Sequence, residues 1–211
     1  MAVKIPRIRG DLSDRLIHLT RGDSEEFRIK NDRAAQMKFL SIVRSKTVLG
    51  SAIGIKDGSK CICFSEAPIA VLARMLADRE SRYAPLGVML DKTYLFARGG
   101  RPVIYQPPSE LGALPADIQY RHVDYDPVEG VDWTWEREWR VKADKLELDP
   151  AYVTLIVPRR SDADSLKEEY FNQQRGLVES YESTDFLELM QTFPWHFLVL
   201  EDLGISVVDF G

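Results

Sequence analysis

The chain has 211 residues, 45% of them hydrophobic, and a formal net charge of −5. That length fits one globular domain with a core that needs neither disulfides nor metal to hold it. The acidic balance argues against a surface built to attract duplex nucleic acid, and no apolar run nears the roughly 18 residues of a membrane span.

Residues 1–14 are basic and polar without a period, and read as an arm; with no apolar leader segment the expected location is the cytoplasm, with no membrane partner. Leu16-Ile-His-Leu-Thr20 reads as a strand, followed by a polar loop from Arg21 to Glu26. Apolar residues at helical spacing predict a helix from Ala35 to Val43. Thr47 to Ile55 is mixed, and Asp57-Gly58-Ser59 marks a turn.

Cys61-Ile-Cys-Phe64 reads as a buried strand. Its two cysteines, the only ones in the chain, lack zinc-site spacing and read as free buried thiols. Ser65 as N-cap and Pro68 in the first turn predict a helix running to about Ser81. Tyr83-Ala-Pro-Leu-Gly reads as a loop entering a strand, and Thr93 to Ala97 as a short element before the Gly99-Gly100 turn. Further strands are expected at Pro102–Tyr105, Ile118–Tyr125, Trp133–Val141, Tyr152–Val157, Phe197–Leu200 and Ile205–Val208. Helices are expected at Ser161–Asn172 and Asp185–Met190. Strands that do not alternate with helices indicate an α+β domain.

Trp133-Thr-Trp-Glu-Arg-Glu-Trp-Arg-Val141 draws the eye. Period-two alternation would place Glu136, Glu138 and Arg140 on one face, the carboxylates about 6–7 Å apart, with Trp139 and Val141 entering the core behind. This is either a reaction site or a solvated charge ladder. No phosphate loop, dinucleotide fingerprint, nucleophile elbow or HExxH pattern occurs, and His18, His122 and His196 are far apart, so no metal site is read from the sequence. The remaining polar candidates are His18, Thr20 and Arg21 at the first strand, Ser65 at a strand end, and Tyr105.

Taken in order, His18-x-Thr20, Phe64-Ser65-Glu66, Tyr105 and Glu136-x-Glu138 resemble the ADP-ribosyltransferase fold. Leu16–Thr20, Cys61–Pro68, Tyr83–Val88, Arg101–Tyr105 and Trp135–Arg140 are similar to the AbiGi-like abortive-phage-resistance family, and more distantly to DarT-type toxins. The resemblance covers roughly residues 15–158 as the core and leaves 159–211 as an unassigned C-terminal part of the same domain. It implies a split antiparallel β-sheet flanked by helices that clamps NAD. His18, Thr20, Arg21 and Ser65 would bind NAD, Tyr105, or Tyr83 or Tyr94 in its place, would stack on nicotinamide, and Glu138, assisted by Glu136, would catalyse. The implied activity is ADP-ribosyl transfer or NAD hydrolysis in phage defence or a toxin–antitoxin pair. The acceptor would be a protein or a single-stranded nucleic acid, and a cognate antitoxin or defence protein a further partner. The alternatives are a catalytically silent partner-binding or nucleotide-sensing module, and a metal-dependent nuclease built on the two carboxylates.

Overall fold

The computed structural model describes residues 13–22, 32–77, 83–179 and 192–205. The strands are β1 (Arg15–Arg21), β2 (Thr47–Leu49), β3 (Cys61–Ser65), β4 (Tyr83–Asp91), β5 (Arg101–Pro102), β6 (Ile104–Gln106), β7 (His122–Asp124), β8 (Glu138–Lys142), β9 (Lys145–Glu147), β10 (Val153–Val157) and β11 (His196–Val199). The helices are α1 (Asp32–Ser45), α2 (Ile69–Ala77), α3 (Lys92–Ala97) and α4 (Arg160–Glu179). Seven strands form one sheet in the order β11-β10-β4-β1-β3-β8-β5, antiparallel except for β10 against β11. Two-stranded pairs, β2 with β9 and β6 with β7, lie beside it. The fold is mixed α+β around a mostly antiparallel sheet.

The alternation of β1 explains how the sheet is covered on both faces. Leu16 joins Phe64, Trp139, Val88 and Leu155 in the main core with α1 residues Ala35, Phe39 and Ile42. Ile17 and Leu19 face the other way, onto Leu72 and Leu76 of α2 and onto Ile156 and Leu200. Burying one such aliphatic side chain contributes about 1.5–3 kcal/mol. The central strands must therefore be apolar on both sides.

Four sequence expectations are corrected. Tyr83 to Gly87 is strand, not loop: β4 runs through Pro85, which sits where the β1–β4 register jumps from Leu19↔Gly87 to Arg21↔Tyr83. A proline is tolerated there because the ladder is already interrupted. Pro102–Tyr105 is not one strand, since β5 joins the main sheet and β6 pairs with β7. Ile118–Arg121 belongs to a 3-10 turn (Ala116–Arg121), and only His122–Asp124 is strand. The stretch from Trp133 is likewise split: Thr134–Glu136 is a 3-10 turn, Arg137 is left-handed (φ 46°, ψ 53°), and the strand begins at Glu138. The expectations for residues 1–12, the loop from Asp23, the end of α2, Asp185–Met190 and the strand over Val207–Val208 lie outside the described residues.

Candidate functional site

β1 and β3 share a single register pair, Ile17 opposite Ser65. Past it the His18 imidazole spans the gap, its Nδ1 2.8 Å from the Cys63 carbonyl oxygen. A carbonyl can only accept, so Nδ1 carries the proton and Nε2 keeps its lone pair. Burial, and after it the positive charges of Arg21 and Lys38, hold His18 below its ordinary value of 6.5 against the pull of the Cys63 carbonyl. The ring is neutral at pH 7.

At this parting of the strands lies a cavity of about 300 Å³, the lower end of the range for small-molecule clefts. The sheet supplies its floor in register: Ile17 faces Ser65, Ser65 faces Glu138, and Cys63 faces Arg140. Its walls come from Leu72, Tyr83, the loop Ile53–Ile55, Val123, Trp133, Trp135 and Glu136.

Glu138 is the most tightly held group on the floor. Arg140 donates from Nε to its Oε1 at 2.8 Å and from Nη2 to its Oε2 at 3.1 Å. The same guanidinium donates from Nη1 to the carbonyls of Tyr120 at 2.6 Å and His122 at 3.1 Å. Arg140 is 5% exposed. Burial opposes its charge, but the Glu138 carboxylate outweighs that and raises its pKa. The Cys63 thiol is pushed up by burial and then by Glu138, so it stays protonated and can donate to the carboxylate. Bidentate pairing takes one lone-pair direction from each oxygen and leaves the others for a ligand hydroxyl.

The backbone around Glu138 is braced separately. Its N–H donates to the Tyr105 hydroxyl at 3.0 Å, and its carbonyl accepts from Val103 N–H at 3.0 Å. Ser65 Oγ donates to the Glu136 carbonyl at 2.6 Å and accepts from Ala67 N–H at 3.1 Å. Behind the sheet, Trp139 Nε1 donates to Glu66 Oε2 at 2.7 Å, and Lys92 holds the other Glu66 oxygen.

The residues singled out from sequence therefore divide. His18, Arg21, Ser65, Glu136 and Glu138 line one cavity. Thr20 does not: it is buried, with its hydroxyl donating to the Leu86 carbonyl at 3.0 Å. Tyr105 lies outside the cavity lining, and burial pushes its hydroxyl up to about 12. Ser65 ends β3 and closes a turn rather than capping α2, whose first turn is received by the Pro68 carbonyl. Glu136 and Glu138 do not share a strand face, because the chain turns at Arg137.

The sequence reading set Arg140 beside the two carboxylates but not its contacts to the Tyr120 and His122 carbonyls, and it missed Trp133 and Trp135 as wall residues. The two indoles are 42% and 39% exposed, a signal available only as aromatics flanking a turn. Asp132-x-Thr134 marked that turn, since Asp132 Oδ1 accepts from Thr134 N–H and Oγ1 at 2.9 and 2.6 Å. Among the described residues no group of three or more His, Cys, Asp and Glu side chains is placed to hold a metal ion, and no helix is long and apolar enough to cross a membrane. Comparison with protein-family models, with curated proteins and with solved structures gave no match.

Proposed function

We propose that this cleft binds NAD and breaks its nicotinamide–ribose bond, transferring ADP-ribose to a macromolecular acceptor or to water. The observation that carries the reading is the adjacency of β1, β3 and β8, which puts His18, Ser65 and Glu138 around one opening in a parted sheet. The ADP-ribosyltransferase resemblance asks for a histidine, a serine and a glutamate around one NAD cleft, and this grouping supports the reading. Cleavage develops positive charge on the ribose carbon, and a fixed carboxylate beside the 2′-hydroxyl stabilises it. Glu138, immobilised by Arg140, would be that carboxylate. His18 Nε2 would accept from a ribose hydroxyl, and Arg21 at the rim would meet the pyrophosphate. Trp133 and Trp135 replace Tyr105 as the surfaces on which a planar ring would stack. A role in phage defence or a toxin–antitoxin pair rests on the AbiGi-like resemblance alone.

The test is incubation with NAD labelled in its ADP-ribose part, offering host protein, single-stranded DNA and RNA as acceptors. Label should enter one pool with the native chain and fall about 100-fold or more with Glu138→Gln; equal labelling by both proteins would remove Glu138 from the chemistry. Glutamine is preferable to alanine because it leaves Arg140 an oxygen to bond.

A second reading is favoured by the engagement of both Glu138 oxygens: a module that senses NAD without consuming it. Binding of NAD with no nicotinamide release in the presence of every acceptor would select it. The nuclease reading finds no three-ligand carboxylate cluster among the described residues to support it.

A further inference from the structure

Among the described residues three buried side-chain atoms have no hydrogen-bond partner: Gln106 Oε1, His122 Nδ1 and Asp124 Oδ1. They are not scattered. In the parallel pair of β6 and β7, Ile104 is opposite His122 and Gln106 is opposite Asp124. Alternation therefore puts Gln106, His122 and Asp124 on one face of that small sheet, and Tyr105 and Val123 on the other, where Val123 lines the cleft.

All three orphaned atoms are lone-pair acceptors. His122 Nε2 lies 3.3 Å from the Pro107 carbonyl oxygen. That carbonyl fixes the ring proton on Nε2 and leaves Nδ1 bare, the usual way a ligating histidine is oriented by its other nitrogen. Gln106 Nε2 donates to Glu110 at 3.1 Å, which fixes the amide with its oxygen turned inward. Asp124 Oδ2 accepts from Lys56 at 2.6 Å, while Oδ1 has no hydrogen bond and lies 3.7 Å from His122 Nδ1. Leaving one such buried acceptor unmet costs about 1–3 kcal/mol, so three together call for a shared electron-pair acceptor. A water molecule can donate only twice, and all three atoms are buried. A metal ion is smaller and accepts from all three.

We infer that Gln106 Oε1, His122 Nδ1 and Asp124 Oδ1 form a site for one divalent first-row transition ion. His122 Nδ1 and Asp124 Oδ1 are 3.7 Å apart. Two bonds of about 2.1 Å meeting near 120° span about 3.6 Å, so an ion fits between them with little movement. One imidazole and two oxygens suit zinc or manganese better than calcium or copper(I). Further ligands can reach the ion from solvent past Asp124, whose side chain is 31% exposed. Among the described residues the Lys56 ammonium is the positive charge bonded to the site, through Asp124 Oδ2, and its side chain is 38% exposed.

The ion would clamp the two strands that brace the candidate carboxylate. β6 presents the Tyr105 hydroxyl to the Glu138 N–H, and β7 presents the His122 carbonyl to Arg140. The role is structural, and it stands whether or not the cleft acts on NAD.

The test uses the full chain. It is stripped with a chelator, then titrated separately with Zn²⁺ and Mn²⁺ by calorimetry, with thermal melting and elemental analysis after dialysis. One ion per chain and a rise in melting temperature are expected, both lost in Asp124→Asn and in His122→Gln. Two results overturn the site: no stoichiometric uptake of either ion by the native chain, or uptake that persists in both variants, which would place the ion elsewhere. Nitrogen NMR of the metal-free protein gives an independent check. A His122 ring protonated on both nitrogens at pH 7 would show an ion pair with Asp124 where the metal was assigned.

Discussion

Arg140 connects more of the site than any other side chain. Its guanidinium satisfies a carboxylate and two main-chain carbonyls at 5% exposure. Removing one partner of a buried pair typically costs about 3–5 kcal/mol because the other is left charged and alone. Arg140→Met should therefore lower stability by about that amount in urea unfolding, and Arg140→Lys by a smaller one, since an ammonium cannot form the planar fork. If Arg140→Met melts like the native chain, the keystone role is wrong. His18 gives a prediction of opposite chemistry. Its folded-state pKa is depressed, so the unfolded chain takes up the proton first. Stability should be complete above about pH 6.5 and fall as pH drops through that value toward the lower folded pKa. In His18→Gln that segment of the stability–pH curve should flatten. The cysteines follow burial: Cys61 is raised to about 11, so both thiols should react slowly with a thiol reagent at pH 7 until the chain is unfolded.

At the scale of elements, the strands were legible where burial alone decides them. Leu16–Thr20, Cys61–Phe64 and Tyr152–Val157 read as strands from apolar content, and helices α1 and α4 from period. The misreadings came where hydrogen bonding or a neighbour's backbone overrode pattern. The alternation of Glu136, Glu138 and Arg140 is real in the sequence, but the Asp132–Thr134 turn and the left-handed Arg137 break it before it becomes a strand. Pro85 suggested a loop because the register jump that admits it depends on β1, distant in sequence. Gly87 is a related case. A Cβ there would lie 2.2 Å from the His18 carbonyl oxygen, a backbone atom that cannot step aside. Gly87→Ala should cost several kcal/mol, on the order of the largest single-residue effects, or prevent folding. A variant with native melting would show that β1 and β4 can separate without penalty. The walls behave differently: Trp133→Ala and Trp135→Ala remove exposed rings and should change stability by less than about 1 kcal/mol while weakening NAD binding at least tenfold by calorimetry.

Among the described residues the sheet is covered on both faces, and a cleft opens where β1 and β3 part. α1, α3 and α4 cover one side, α2 covers part of the other, and the opening is left beside α2. That arrangement explains why the sequence showed the candidate residues but not their grouping. His18, Ser65 and Glu138 are 47 and 73 positions apart in steps along the chain, and only the strand order makes them neighbours. Arg140 was legible beside the carboxylates, but its bonds to the Tyr120 and His122 carbonyls were not, and neither were the indoles as walls, because long-range contacts and a turn leave no periodic mark.

The central claim is that this opening binds and cleaves NAD through Glu138. Its most direct measurement is release of nicotinamide from NAD by the purified chain, followed by chromatography beside Glu138→Gln of equal melting temperature. The account predicts release by the native protein and about 100-fold less or none by the variant. Release at the same rate from both, or failure of the native chain either to bind NAD or to consume it with acceptors present, would contradict it.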